Sequence, residues 1–388
     1  MSDDKKHALL SPSAAHRWLN CPRAPRLEAT VEDAGSDYAR EGSLAHAYCA
    51  RKIKATLGRD TRAEEEEIAE LRDQYHTGEM DGYTDAYAAE VLDRYNTARA
   101  TTHDAVLAVE TRLELDEWIP GAHGTADATI IADGTMEIID FKYGKGVRVE
   151  APDNPQMMIY ALGAWAQFNW LYAIERVRMT IIQPRLDNVS SWTVSVDALL
   201  EWADEVLRPR ALAAYAGDGE ATPGEWCRFC KVKSQCAALA GKCRDVAGSV
   251  TDPALMTPER MAADVLPWLA TIKSWVSGVE EYALAQALGG VRYPGYKLVE
   301  GRSVRRITDE GAVAEALARE GYAPEEYLKP AALYGIGELE RMMGKKRFAA
   351  VCGDYVEKPR GKPTLAPAGD KRAEYTPGDD FEGVVLDS

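Results

Sequence analysis

The stretch from Gly124 to Tyr160, GTADATIIADGTMEIIDFKYGKGVRVEAPDNPQMMIY, most constrains what this chain can fold into. Residues 124–132 alternate small or polar with apolar side chains, Asp133-Gly134 supplies the pair favoured in two-residue hairpin loops, and 135–143 alternates again. The pattern predicts a β-hairpin. In its second strand Asp140 and Lys142 are two residues apart and project from one face, while Ile139 and Phe141 point to the other. If Asp127 of the first strand shares the face of Asp140, two carboxylates and one ammonium converge, an arrangement suited to a divalent cation. Asn154 then reads as the N-cap and Pro155 as the first residue of a helix over 155–171, on which Gln156 and Tyr160 lie one turn apart on one face.

An isolated D-x-K is usually an exposed pair of opposite charges, but here it belongs to an ordered set. Asp127, then Asp140-Phe141-Lys142, then Gln156-Met157-Met158-Ile159-Tyr160 together resemble the RecB-type branch of the PD-(D/E)XK nuclease superfamily. Upstream, Gly42-Ser43-Leu44-Ala45-His46 resembles the G-x-x-x-H motif that these nucleases carry on an N-terminal helix. A lone histidine is more often structural. The resemblance implies that His46 joins Asp127 and Asp140 as ligands of Mg2+ or Mn2+, that Lys142 is the catalytic lysine, and that Gln156 and Tyr160 position the DNA backbone or that lysine. It also implies an α/β (α+β) fold with a restriction-endonuclease-like αβββαβ core behind N-terminal helices, and the residues beyond that core read as a small C-terminal α/β appendage. Residues 105–115, 176–183 and 190–196 read as its remaining strands. Glu110, in the first of them, reads as a flank of the sheet more readily than as a group that assists the metal.

A second dense signal is TPGEWCRFCKVKSQC, residues 222–236, where Cys227 and Cys230 form a C-x-x-C and Cys236 follows after five residues. This spacing brings three thiolates to one metal centre. From spacing alone, Cys243 completes a local zinc knuckle. Near the N-terminus, residues 10–28 read as a helix capped by Ser11 or Ser13 and interrupted at Cys21-Pro22. That segment resembles the start of the iron–sulfur nucleases, including AddB-type helicase–nucleases and CRISPR-associated RecB-like exonucleases, in which such a cysteine is the first cluster ligand. The resemblance implies a [4Fe–4S] cluster on Cys21, Cys227, Cys230 and Cys236 that staples the two ends of the nuclease domain together. The alternative on spacing is Zn2+ at Cys227, Cys230, Cys236 and Cys243.

Seven cysteines without an obvious framework, no apolar run approaching the ~20 residues of a membrane span, and no signal-like start lead to the expectation of a cytoplasmic protein that contacts no membrane. The net charge of −16 excludes a protein coated in basic surface, so nucleic-acid contact must use a local patch. Lys142, Lys145 and Arg148, with Arg228, Lys231, Lys233, Lys242 and Arg244, are the candidates. The nuclease domain is expected over 1–247, a helical and α/β appendage over 248–358, and a disordered tail over 359–388. In the appendage a long helix from Thr257-Pro258 to Gly289-Gly290 carries an apolar seam that packs on its own domain or serves an oligomer contact. No P-loop is encoded, so there is no ATP-driven translocation module. The segments LSPSAAHRWLNCP, EGSLAHAYC and DFKYGKGVRVEAPDNPQMMIYALGA are similar to a bacteriophage and prophage family of RecB-like nucleases. That resemblance implies a metal-dependent deoxyribonuclease, an exonuclease acting on single-stranded DNA or DNA ends in phage replication or recombination, with proteins of those processes as partners. The alternative is a catalytically inactive DNA-binding or scaffold protein with a structural zinc or iron–sulfur site.

Overall fold

The structure, a computed structural model, describes residues 8–31, 35–249 and 256–296, together with 344, 346 and 347. The chain divides into two compact units, Met1–Val304 and Arg305–Ser388, and every element below belongs to the first. The expected boundary at 248 therefore falls inside that first unit. Most of the expected appendage beyond 296, and the whole expected tail over 359–388, lie outside the described residues.

Helices α1 (Ala15–Asn20) and α2 (Ala24–Glu28) are separated at Cys21-Pro22, where proline removes a backbone donor. Neither Ser11 nor Ser13 acts as the expected cap; their hydroxyls lie 3.3 Å from each other and the turn at Pro12–Ala14 has no side-chain cap. Helix α3 (Asp37–Thr56) starts where the Ser36 side chain accepts a hydrogen bond from the Ala39 amide. Helices α4 (Arg62–Tyr75) and α5 (Gly78–Thr101) follow. Five strands come next: β1 (Val106–Glu114), β2 (His123–Ile131), β3 (Gly134–Phe141), β4 (Ile174–Gln183) and β5 (Asn188–Ser195), with α6 (Pro155–Phe168) crossing from β3 to β4. The sheet runs in sequence order, antiparallel except for the parallel β3–β4 pair that α6 connects. This is an α+β fold with a mixed sheet.

Helices cover both faces of the sheet. On one face α6, with Met157 through Ala164 all buried, packs on Ile138, Val177, Met179 and Ile181. Burial of side chains of that size is worth about 1.5–3 kcal/mol each. On the other face, residues of α3 and α5 such as Leu44, Ile53, Tyr87 and Val91 pack on Leu107, Val109, Ile139 and Phe141. Ile138 and Ile139 thus serve opposite cores, as the pleat requires.

The alternation breaks at one place. Leu107 and Val109 belong to the core under α3, whereas Leu113 and Leu115 belong to the core under α6, although all four have odd numbers. Between them Glu110 adopts φ +49°, a left-handed backbone unusual for a residue with a Cβ. Opposite, Ala126 and Ala128 likewise serve different cores. Glu110 and Asp127 stand at that crossing, between the paired residues Val109–Ala128 and Thr111–Ala126. The strand pair therefore rotates at two acidic residues.

After β5, α7 (Val196–Trp202) is capped by Ser195 and not by Asp197, then a π-helical turn over Ala203–Leu207 leads into α8 (Arg208–Ala216), which Gly217 ends at φ +77°. Helix α9 (Ala237–Gly248) follows the cysteine segment. The long helix expected from Thr257 is broken. Thr257 caps α10 (Pro258–Arg260), but a π-helical turn and a 3-10 turn containing Pro267 intervene before α11 (Leu269–Leu288). Proline lacks the N–H that a continuous helix needs. Ile272 and Trp275 of α11 pack on the cluster of Cys227, Leu239 and Cys243, so part of the apolar seam serves the first unit's own core. Among the described residues, no helix is long and apolar enough to cross a membrane.

Candidate functional site

At the crossing point of β1 and β2, His46 reaches down from α3 to place Nδ1 3.2 Å from Asp127 Oδ1. The other carboxylate oxygen of Asp127 accepts the Phe141 backbone N–H at 2.7 Å, which ties β2 to the end of β3. The Phe141 ring meets the imidazole edge-on at 5.3 Å between centroids. Glu110 completes the group: ligand-type atoms of His46, Glu110 and Asp127 all lie within 4.8 Å of one another, and among the described residues this is the one histidine, cysteine or carboxylate set that does so. A histidine nitrogen and two carboxylates at that spacing match the donors that Mg2+ and Mn2+ accept.

Asp140 lies beside this group but is held differently. It is 3% exposed, and its oxygens face the Lys142 ammonium at 3.0 Å and the Gln156 amide at 3.2 Å. Its Oδ2 is the oxygen nearest the ammonium, in an ion pair without a well-formed hydrogen bond. Lys142 also donates to Gln156 Oε1 at 2.9 Å, and Gln156 Nε2 reaches Tyr160 Oη at 3.4 Å. The expected one-turn spacing of Gln156 and Tyr160 holds because Asn154 accepts from the Gln156 and Met157 amides and Pro155 occupies the first helical position. Gly124 lets the Tyr160 ring lie against β2, since a Cβ there would meet that ring at 2.8 Å. The sequence-predicted residues therefore form two touching parts: His46 and Asp127 with Glu110, and Asp140 with Lys142, Gln156 and Tyr160.

The electrostatics fit a site built for a cation. Burial and the facing Asp127 push Glu110 up to about 8, so without a cation it carries a proton at neutral pH. Burial opposes the charged form of His46, but Asp127, Glu110 and Asp140 outweigh it and hold the imidazolium up to about 9. Burial also opposes ionisation of Asp127, yet His46, the Phe141 amide and Lys142 keep its carboxyl below the usual range. Asp140 is raised by burial, with Lys142 opposing and Asp127 adding. Tyr160 is raised by burial and stays a phenol. Three carboxylates thus crowd one place with protons standing where a divalent ion would balance them.

The cysteines assemble at the other dense signal. Cys21, Cys227, Cys230 and Cys236 line one cavity together with Arg17, Ala24 and Leu239, whereas Cys243 is buried beside Leu239 and does not line it. All six cysteines of the described residues are free thiols. Burial, with Glu28 beside it, pushes Cys230 up to about 12, and burial raises Cys227, with Cys21, Cys236 and Cys243 adding to it. The N-terminal segment and residues 215–231 are joined here independently of the thiols. Glu28 accepts from Arg17 Nε at 2.9 Å and from the Lys231 amide at 2.8 Å, across a sequence separation of 203 residues. Arg26 donates to the Tyr215 carbonyl at 2.8 Å and lies over its ring.

Three of the basic candidates are engaged within the chain. Lys233 is taken up by the Arg228 carbonyl and Ser274, Lys242 lies 4.7 Å over the Trp268 ring, and Arg148 pairs with Glu150.

Against known proteins, the family described as "Protein of unknown function (DUF2800)" matches residues 7–373. The chain belongs to the DUF2800 family. A solved structure titled "Crystal structure of SSO0001" is similar over 50% of this chain and 85% of that one, at 15% identity and a TM-score of 0.24.

For this DUF2800 protein, sequence reasoning undervalued Glu110. In a strand that alternates regularly it sits among Ala108 and Arg112, and only the left-handed backbone turns it toward His46. The available signal was indirect: a glutamate in a half-buried strand, level with the aspartate of the neighbouring strand.

Proposed function

We propose that this DUF2800 protein is a metal-dependent deoxyribonuclease of the RecB-like PD-(D/E)XK type, acting on phage or prophage DNA during replication or recombination in the cytoplasm. One observation carries the reading: the His46–Glu110–Asp127 group lies beside the buried Asp140 and its partners Lys142 and Gln156 at the end of β3. A purely structural ion pair needs neither a third crowded carboxylate nor a strained backbone to supply it.

His46, Asp127 and Glu110, with Asp140 beside them, would hold Mg2+ or Mn2+, which would supply Lewis acidity for the phosphoryl group and acidify a water. Lys142 stands between Asp140 and Gln156 with its ammonium charge fixed, so it can stabilise negative charge developing on the phosphate and orient the attacking water. Gln156 fixes the lysine through its carbonyl oxygen, and Tyr160 braces the Gln156 amide from one turn further along α6. Phe141 N–H holds the Asp127 carboxylate so that its other oxygen faces His46.

The cysteine cavity fits the [4Fe–4S] reading through Cys21, Cys227, Cys230 and Cys236. Four free thiols, two buried and two half-buried, line one void, and Cys243, which the zinc alternative requires, does not line it. A cluster there would fasten α1 and α2 to the segment before α9 and has no part in the hydrolysis.

The test is cleavage of end-labelled single- and double-stranded DNA with Mn2+ against EDTA, for wild type and Lys142→Ala. Mn2+-dependent cleavage lost in the variant supports the reading. DNA binding without cleavage leaves the scaffold alternative in its place.

A further inference from the structure

Between β3 and α6 the chain leaves the core at Gly144 and returns at Val149, and the tip Gly144-Lys145-Gly146-Val147 is exposed throughout. Such a tip, with two glycines and no buried side chain, ought to be loosely held. It is instead fastened by buried polar groups. Gln183, at the end of β4 and 1% exposed, donates through Nε2 to the carbonyls of Gly144 at 2.7 Å and Val147 at 2.8 Å. Its Oε1 accepts from the Val149 amide at 3.2 Å and from Asn188 Nδ2 at 3.4 Å. Every hydrogen-bonding position of that amide is used. Asn188, also 1% exposed, donates to the Val149 carbonyl at 2.9 Å, and Ser190 accepts the Ala151 amide at 3.0 Å. Burying three polar side chains to fix a loop whose tip is exposed throughout adds little to the core. It does hold the loop's shape in advance.

We propose that this loop is a preset finger that grips the phosphodiester backbone of DNA next to the scissile phosphate, with Lys145 as the contact and Gln183 as its positioning residue. The inference rests on the nuclease reading and extends it to substrate engagement. Lys145 is exposed and, among the described residues, has neither an ion-pair nor a hydrogen-bond partner, in a protein of net charge −16. Positions for a Cβ on Gly144 and Gly146 meet nothing within 4 Å, so the flanking backbone N–H groups can approach an anionic oxygen closely. Three residues of chain span at most about 10 Å, which puts Lys145 within reach of a phosphate adjacent to one held at Lys142. The loop is anchored at both ends to that centre, by Lys142, whose amide donates to the Ile182 carbonyl at 2.9 Å, and by the Asn154-capped α6 that carries Gln156.

The experiment uses the full chain, with steady-state cleavage of a 5′-labelled single-stranded oligonucleotide in Mn2+ and its binding by fluorescence anisotropy in Ca2+ across a salt series. Lys145→Ala, an exposed substitution, should raise KM and Kd on the order of 10-fold, as loss of one charge-assisted contact would, with the effect on KM and not on kcat. Its log Kd against log salt should lose about 0.7 of slope, one phosphate on a single strand. Gln183→Leu should raise KM in the same direction, and Lys145→Ala should cost less on that background because the finger is already released. Lys145→Ala with wild-type KM and unchanged salt slope, in a protein that cleaves, overturns the finger and leaves the nuclease reading standing. A protein that binds with a Lys145-dependent slope but never cleaves keeps the finger and removes the nuclease. One that neither binds nor cleaves overturns both.

Discussion

Glu110 offers the sharpest separation of fold from site, through Glu110→Gly and Glu110→Ala. Both substitutions remove the carboxylate, so desolvation and the crowding with Asp127 cancel when the two are compared. They differ in backbone. At φ +49° a side chain with a Cβ pays about 1–2 kcal/mol relative to an ordinary conformation, and glycine does not. In a regular strand interior the order is reversed, with glycine about 0.5–1 kcal/mol worse than alanine. The structure therefore predicts an inverted ranking, Glu110→Gly more stable than Glu110→Ala by roughly 0.5–1 kcal/mol once the two effects are combined. Urea unfolding in EDTA reads this as a shift of midpoint at constant slope. In the same assay Mn2+ at about 100 times the Kd should stabilise wild type by about 2.7 kcal/mol, and both variants by clearly less at that concentration. Glycine ranking below alanine would remove the strained backbone from the argument. Equal Mn2+ stabilisation of all three proteins would remove Glu110 from the metal's ligands.

Lys142→Ala should reduce Mn2+-dependent cleavage by a factor on the order of 10² or more in a protein that still unfolds cooperatively in urea, at a lower midpoint because the buried Asp140 loses its partner, and wild-type rates would sink the assignment of the lysine. His46→Ala should weaken Mn2+ use, with partial recovery at higher Mn2+; an unchanged metal dependence would make the histidine structural. Glu110 and His46 hold protons more tightly folded, at about 8 and about 9, than at their ordinary values of 4.5 and 6.5. Metal-free stability should therefore fall with rising pH, the Glu110 share between about 4.5 and 8 and the His46 share between about 6.5 and 9. Binding of Mn2+ at pH 7 should correspondingly expel about two protons, which calorimetry in buffers of different ionisation enthalpy measures, and zero release would contradict the ligand set. Protein purified without oxygen should be brown and contain iron and acid-labile sulfide. Cys21→Ser should bleach it and lower Tm while Cys243→Ser does neither, whereas a colourless zinc protein that loses its metal only in Cys243→Ser would establish the local knuckle.

The parts legible in the sequence are those decided by near neighbours. Asn154-Pro155 starts α6 because a side-chain cap and a fixed φ act within one turn, and Gly134 at φ +76° enters β3 because only glycine takes that conformation freely. The period of two placed Asp140 and Lys142 on one face for the same local reason. Pro267 was equally visible, and the apolar periodicity that runs across it misleads because repeating side chains do not replace a missing N–H. What the tertiary structure alone decided are the meetings of distant segments. His46 reaches Asp127 because α3 packs on the sheet face formed by Leu107, Val109 and Ile139. Cys21 shares a cavity with Cys227, Cys230 and Cys236 because Glu28 and Arg26 bind α2 to Lys231 and Tyr215, about 200 residues further along the same unit. Glu110 joins the site only because β1 and β2 rotate against each other where two helical layers compete for the sheet, a balance of long-range packing that no local pattern of residues records.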